Sequence, residues 1–131
     1  MDKGELVAKA ISAMNNAYVK YSKFKVGAAL LTKSGKIYTG CNIENSSYSA
    51  TICAERVAFT KAISEGARDF LAIAIVNSSS EFAYPCGICR QFMSEFGIDL
   101  KVIISNGKET KEHSLKELLP YAFTEFMPTD E

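Results

Sequence analysis

Three cysteines and one glutamate have the residue types and the spacing of a metal site that could activate water. Glu55 comes two positions after Cys53, and Cys86 and Cys89 form a CxxC pair directly after Pro85. Thiolates with this spacing are typical zinc ligands. Three protein ligands leave one coordination position open for water, which is the arrangement of catalytic zinc sites. The sequence therefore predicts one Zn²⁺ per chain, bound by Cys53, Cys86 and Cys89.

Glu55 is predicted to transfer protons rather than to bind the metal. It lies about 200° around a regular helix from Cys53, so chelation of one ion by both side chains is awkward. A carboxylate beside an activated water can serve as general base and then as general acid. Three thiolates also leave Zn²⁺ with a net negative charge. Since Arg56 and Arg90 closely follow ligands, we expect at least one of them to donate to a thiolate sulfur.

Two other interpretations of the cysteines stay open from the residues alone. A closed structural zinc site would take Cys41 as its fourth ligand, although Cys41 lies at a predicted strand end, outside any chelating pair. A CxxC redox motif would leave Cys53 and Glu55 without a role. The open catalytic site accounts for all the residues of the cluster and is therefore preferred.

Hydrophobic periodicity predicts the elements that position these residues. Apolar residues recur at three- and four-residue steps from Val7 to Tyr21, which indicates an opening helix. Two more helices are predicted over about 51–65 and from Pro85 to about Phe96, and a capping box at Ser114 predicts a short last one. The predicted strands cover 26–32, 36–41, 71–76 and 102–104, with a fifth after the Asn106-Gly107 turn.

The order α-β-β-α-β-α-β-β-α predicts a three-layer α/β fold with a five-stranded mixed sheet, forming a single catalytic domain over residues 1–131. Fifteen basic residues balance fifteen acidic ones, and no basic cluster is present, so we expect no nucleic-acid partner. No apolar run is long enough to span a membrane, and the first residues lack a secretion signal. With four cysteines, these features predict a cytoplasmic protein that acts on a small neutral molecule.

Five segments carry a resemblance to a known family: YSKFKVGAAL at 21–30, GCNIEN at 40–45, CAER at 53–56, PCGICRQ at 85–91 and ELLPYAF at 117–123. In this order they resemble the small zinc-dependent cytidine deaminase family over nearly the whole chain. The resemblance implies hydrolytic deamination of cytidine and 2′-deoxycytidine to the uridine nucleosides, with release of ammonia, in pyrimidine salvage. A deaminase for another aminated heterocycle, such as an antibiotic nucleoside, is disfavoured by the segment at 42–45.

The resemblance also implies roles for residues outside the metal cluster. Asn42 and Glu44 would bind the ribose hydroxyls, Phe24 would pack against the pyrimidine ring, and the backbone of Ala54 would hydrogen-bond the base.

Family members are typically homotetramers with shared active sites, so the resemblance implies that Tyr48 and Phe123 reach into the site of a neighbouring subunit. Three features depart from the family pattern: Tyr84 before the proline, Ile88 within the CxxC pair, and the tail after Phe123. The first two put the shape of the pocket in question. The lone histidine, His113, is predicted to be a surface residue far from the site.

Overall fold

The apolar runs of the sequence form one mixed sheet in the computed structural model, which describes residues 1–126. The sheet has the strand order β2-β1-β3-β4-β5; β3 and β4 are parallel, and the other neighbours are antiparallel. The strands are β1 (Val26–Thr32), β2 (Ile37–Cys41), β3 (Phe70–Asn77), β4 (Lys101–Ser105) and β5 (Thr110–Ser114). The predicted α/β fold with a five-stranded mixed sheet is confirmed.

Helices cover both faces of this sheet. One face packs against α1, and the other packs against the remaining helices, so the fold has three layers. The helices are α1 (Lys3–Met14), α2 (Ala54–Ser64), α3 (Gly87–Ser94) and α4 (Leu115–Leu118), and a 3₁₀ turn at Tyr48–Ala50 precedes α2. Among residues 1–126, none of these helices has the length and apolarity needed to cross a membrane.

The central strand β3 shows why its sequence is a continuous apolar run. Ile73 and Ile75 point into the core beneath α2 and α3, while Ala74 and Val76 point into the core beneath α1. Successive side chains of a strand face opposite sides of a sheet, and both sides are covered here. The strand is therefore buried on both faces, as its sequence predicts.

Two glycines allow helices to approach the sheet closely. A Cβ at Gly27 would lie 2.1 Å from the carbonyl oxygen of Ala10 in α1, and a Cβ at Gly40 would lie 2.5 Å from that of Ala54 in α2. Both obstacles are backbone atoms, so a larger residue at either position would displace a helix. Gly40 therefore sets the distance between β2 and the first turn of α2.

The predicted bounds of two helices are wrong. The first helix ends at Met14 rather than near Tyr21, because Tyr18 instead pairs with the chain beyond β2: its N–H donates to Asn42 O at 3.0 Å and its carbonyl accepts from Glu44 N at 2.8 Å. Pro85 lies outside α3, whose N-cap is Cys86. In the tail that departs from the family pattern, residues 127–131 lie outside the described residues.

Candidate metal centre and active site

Sheet topology brings the two cysteine segments together. Strands β2 and β3 both run antiparallel to β1, so they point in the same direction and their carboxyl ends lie at the same edge of the sheet. The chain enters α2 after β2, with Cys53 as N-cap, and enters α3 after β3, with Cys86 as N-cap. The two helix N-termini therefore meet, and their partial positive charges favour thiolates there.

The three predicted ligands form one cluster. The sulfurs of Cys53, Cys86 and Cys89 lie within 4.8 Å of one another, with 4.0 Å between those of Cys53 and Cys86. Tetrahedral zinc with Zn–S bonds of about 2.3 Å would hold its sulfurs about 3.8 Å apart. The donor set and its spacing therefore fit zinc. Cys41 does not belong to this cluster among residues 1–126, so the closed four-thiolate alternative finds no fourth sulfur there.

The two arginines that follow the ligands have different contacts. Arg56 donates to Cys53 Sγ at 3.7 Å and to the carbonyl oxygen of Thr51 at 3.5 Å. Arg90 instead donates through Nε to the carbonyl oxygen of Pro85 at 2.7 Å and through Nη1 to that of Leu118 at 2.8 Å. Arg56 is thus the arginine placed to offset thiolate charge, whereas Arg90 joins α3 to the end of α4.

Neighbouring donors set the proton affinities of the thiols. Hydrogen bonding from Cys89, supported by Arg56, lowers the pKa of Cys53 to about 5. The same hydrogen bond and burial raise the pKa of Cys89. Of these two thiols, Cys53 is the one that more readily presents a thiolate.

Glu55 lies in the first turn of α2 with only 4% of its surface exposed. Burial, with a smaller contribution from the charge of Cys53, raises the pKa of its carboxyl to about 7. A carboxyl with this pKa can both accept and release a proton near neutral pH, as a proton-transfer residue must.

A cavity of about 210 Å³ opens beside the cysteines. Glu55, Cys53 and Cys86 form one part of its lining. Phe24 and Ala54 line it as well, so an aromatic ring and a helix N-terminal backbone border the same space. We call this cavity the inner pocket.

Asn42 lines the inner pocket, but its side chain also holds the start of β1. Its oxygen accepts from Val26 N at 2.9 Å, and its amide donates to the carbonyl oxygen of Phe24 at 2.8 Å. An asparagine amide has two N–H donors and two acceptor lone pairs. One donor and one lone pair are therefore left for a ligand.

Glu44 lies in a second cavity of about 360 Å³, which we call the outer pocket and which shares Thr51 with the inner one. Its carboxylate accepts from the backbone N–H groups of Tyr21 and Ser22, each at 3.0 Å, and from the Ser22 hydroxyl. The Ser22 hydroxyl is the main reason why the pKa of Glu44 is lowered. A carboxylate can accept about four hydrogen bonds, so one position remains.

The two residues expected to serve a neighbouring subunit lie apart from the inner pocket. Tyr48 borders the outer pocket and is 77% exposed, and Phe123 is 64% exposed. The backbone oxygen of Phe123 accepts from Gln91 Nε2 at 2.8 Å, which attaches the tail to α3. Neither residue forms part of the lining of the inner pocket of its own chain.

His113 was predicted to be a surface residue far from the site and not a metal ligand. It lies outside the cysteine cluster, but its predicted distance from the site is wrong. It is half-buried on β5, and its Nε2 lies 3.1 Å from the hydroxyl of Tyr84, which lines the inner pocket. Nothing in the sequence near His113 signalled this contact, because the two residues are 29 positions apart.

Comparisons with known proteins agree with the fold and the cysteine cluster, which together define a zinc-binding deaminase region. Residues 1–105 match the family model described as "Cytidine and deoxycytidylate deaminase zinc-binding region". The chain therefore belongs to the cytidine and deoxycytidylate deaminase family.

Proteins named cytidine deaminase are similar to this chain over most of its length. The one from Sporosarcina psychrophila is 50% identical, and the match covers 95% of this chain and 93% of that protein. The one from Halalkalibacterium halodurans is 51% identical, and the match covers 95% of this chain and 96% of that protein. The crystal structure of cytidine deaminase from Burkholderia pseudomallei superposes with a TM-score of 0.90 at 43% identity, covering 94% of this chain and all of that one.

Proposed function

We propose that the protein is a zinc-dependent cytidine deaminase, which converts cytidine and 2′-deoxycytidine to uridine and 2′-deoxyuridine and releases ammonia. The observation that carries this proposal is the placement of a buried Glu55 beside three clustered cysteine sulfurs, all at one small pocket. Relatives of about 50% identity named cytidine deaminase support the choice of substrate.

Each residue of the site has a proposed part in the reaction. Cys53, Cys86 and Cys89 would hold the zinc ion, which supplies Lewis acidity and a water of lowered pKa. The Glu55 carboxylate would take a proton from the attacking water and deliver it to ring nitrogen N3. It would then return a second proton to the departing amine, so that one water is consumed for each ammonia released. Arg56 would reduce the negative charge of the sulfurs.

The two pockets suit the two parts of a nucleoside. The base would occupy the inner pocket, between Phe24 and the backbone of Ala54, with its amine towards the cysteines. The sugar would then lie towards the outer pocket, where Asn42 and Glu44 each have hydrogen-bonding capacity left for a hydroxyl.

Charge favours a nucleoside over a nucleotide. Within the described chain, residues 1–126, neither pocket has a lysine or arginine in its lining. Glu44, whose lowered pKa keeps it ionised, would repel a phosphate near the sugar. We therefore propose cytidine rather than its monophosphate as substrate, and no nucleic-acid partner.

Glu55→Ala tests the chemistry. The variant should keep one zinc per chain, because Glu55 is not a ligand, while kcat falls by about 10² or more. Zinc is measured by elemental analysis and ammonia release with cytidine, 2′-deoxycytidine, cytosine, the monophosphate and adenosine. Near-normal turnover by the variant would refute the role of Glu55, and a wild-type preference for any but the two nucleosides would refute the substrate.

Cys41→Ser is the matched control for the metal site. Cys41 lies outside the sulfur cluster, so this variant should keep zinc and activity. Loss of zinc from it would favour a closed structural site instead.

We also propose a homotetramer in which neighbouring chains complete each site. The supporting observation is that Tyr48 and Phe123 are exposed and do not line the inner pocket of their own chain. Chains carrying Glu55→Ala and chains carrying Phe123→Ala should regain activity when they are mixed during refolding, since some sites then contain both wild-type residues. A monomeric mass with full activity would refute this arrangement.

The proposed setting is pyrimidine salvage in the cytoplasm. All four cysteines are free thiols in the structure, and a reducing compartment preserves thiols in this state. Growth of a cell that depends on cytidine as its pyrimidine source would require this activity.

A further inference from the structure

Tyr84 forms part of the wall of the inner pocket at the end where the metal cluster lies. It is two residues before Cys86 and lines the pocket together with Cys86, Ala83 and Glu55. Its position follows from the chain path, because the segment that leaves β3 must turn here to place Cys86 at the start of α3. Tyr84 therefore borders the pocket beside the metal cluster, at the reacting end rather than the sugar end.

The hydroxyl of Tyr84 is held by His113. The two rings are 5.4 Å apart and meet edge to face, and the hydroxyl lies 3.1 Å from Nε2. On the other side of the imidazole, Nδ1 lies 3.5 Å from Oε2 of Glu117. The imidazole therefore lies between the Glu117 carboxylate and the Tyr84 hydroxyl, with one ring nitrogen facing each.

Both supports of Tyr84 are themselves fixed. His113 pairs with Val102 in the β4–β5 ladder. Glu117 closes the capping box of α4, where its Oε1 accepts from Ser114 N at 3.1 Å. The series Glu117–His113–Tyr84 thus joins a strand and a helix cap to the pocket wall. Because Tyr84 is 39% exposed, its contact with His113 is what restrains the ring, and a selective wall requires such a restraint.

We propose that Tyr84 is a specificity-determining residue, and that His113 positions it. This inference rests on the proposed function. The carbon that loses the amine must face the metal cluster, so the wall beside Cys86 lies next to the neighbouring ring atoms. A bulky substituent on ring carbon C5 would meet the tyrosine ring, whereas the hydrogen of cytidine would not. Tyr84 thus restricts the enzyme to pyrimidines with a small group at C5.

The test compares kcat/KM for 5-iodocytidine and for cytidine in wild type, Tyr84→Ser, Tyr84→Phe and His113→Leu. The ratio measured is kcat/KM for 5-iodocytidine divided by kcat/KM for cytidine. Removing the tyrosine ring in Tyr84→Ser should raise this ratio about tenfold, mainly through a lower KM for 5-iodocytidine. Tyr84→Phe and His113→Leu both release the hydroxyl and should each raise the ratio by roughly threefold. Zinc content shows that each variant retains its site.

A double substitution separates positioning from a general structural effect. If His113 acts through the hydroxyl, His113→Leu should change the ratio no further in the Tyr84→Phe background, and His113→Gln should restore part of the wild-type ratio. Equal effects of His113→Leu in both backgrounds would overturn the positioning role. A ratio unchanged in Tyr84→Ser, or a wild type that uses both nucleosides equally well, would overturn the proposal for Tyr84. A wild type inactive on cytidine would instead refute the proposed function.

Discussion

Gly40→Ala should weaken zinc binding, although residue 40 is not a metal ligand and acts only by displacing α2. The new Cβ would lie 2.5 Å from the carbonyl oxygen of Ala54 and 2.6 Å from the amide nitrogen of Ala58, while ordinary contact begins at 3.4 Å. Both obstacles belong to the backbone of α2, so side-chain rotation cannot relieve them. The N-terminal half of α2 must therefore withdraw from β2 by about 0.9 Å.

This displacement acts on one side of the metal cluster. Cys53 moves with α2, whereas Cys86 and Cys89 belong to α3 and stay in place. Metal–ligand distances tolerate only about 0.2 Å, so zinc affinity should fall. Overpacking should lower the free energy of unfolding by about 1–3 kcal/mol, measured in urea. A shift of this size should lower kcat/KM for cytidine about 100-fold.

Two other glycines serve as controls. Gly87 directly follows the ligand Cys86, but a Cβ there would meet nothing within 4 Å, so Gly87→Ala should keep zinc and stability. Gly27→Ala produces a clash with α1 on the opposite face, so it should reduce stability with zinc retained. If Gly40→Ala keeps full zinc content and activity, or if Gly27→Ala loses zinc equally, the link between helix spacing and the site is refuted.

Further predictions concern the core, the last helix and the loop that carries Glu44. Phe59 is fully buried against three other phenylalanine rings, so Phe59→Ala should lower the free energy of unfolding by about 3–5 kcal/mol in urea. Ser114→Ala removes the N-cap of α4 and should cost about 0.5–2 kcal/mol in the same assay. The pKa of Glu44 is lower in the folded protein than in the unfolded one, so ionised Glu44 stabilises the fold. This stabilisation is complete above the unfolded pKa and is lost as pH falls through the folded pKa. Glu44→Gln should therefore reduce the dependence of the free energy of unfolding on pH in the acid range, and an unchanged dependence would contradict this assignment.

The cysteine cluster could be predicted because metal ligands are recognisable from residue type and from their spacing in the sequence. Cys86 and Cys89 are close wherever one helical turn forms, and the only long-range assumption concerns Cys53. That assumption follows from topology, since β2 and β3 end at the same edge of the sheet and each leads into a helix. The apolar run of β3 likewise predicts a central strand without any knowledge of its neighbours.

The contacts of His113 and the end of α1 could not be predicted in this way. The contact between His113 and Tyr84 joins residues 29 positions apart and depends on the register of β5 against β4, which the polar sequence of β5 does not determine. The apolar spacing after Met14 fits a helix, but the backbone of Tyr18 gains two hydrogen bonds by pairing with the chain beyond β2. Tertiary pairing therefore outweighs local periodicity at the end of α1.

Asn42 shows how one side chain can serve the fold and the site at once. By bonding to the carbonyl of Phe24 and the amide of Val26, it fixes an aromatic residue that lines the inner pocket. Under the proposed function, its substitution would therefore disturb binding of the base as well as of the sugar. Glu44 likewise fixes the loop at Tyr21 and Ser22, which lines the outer pocket. Because these bonds already exist in the protein alone, the remaining donors and acceptors are oriented before a nucleoside arrives. Under the proposed function, less conformational entropy is then lost on binding, and the partly buried Glu44 carboxylate would contribute to affinity in this way.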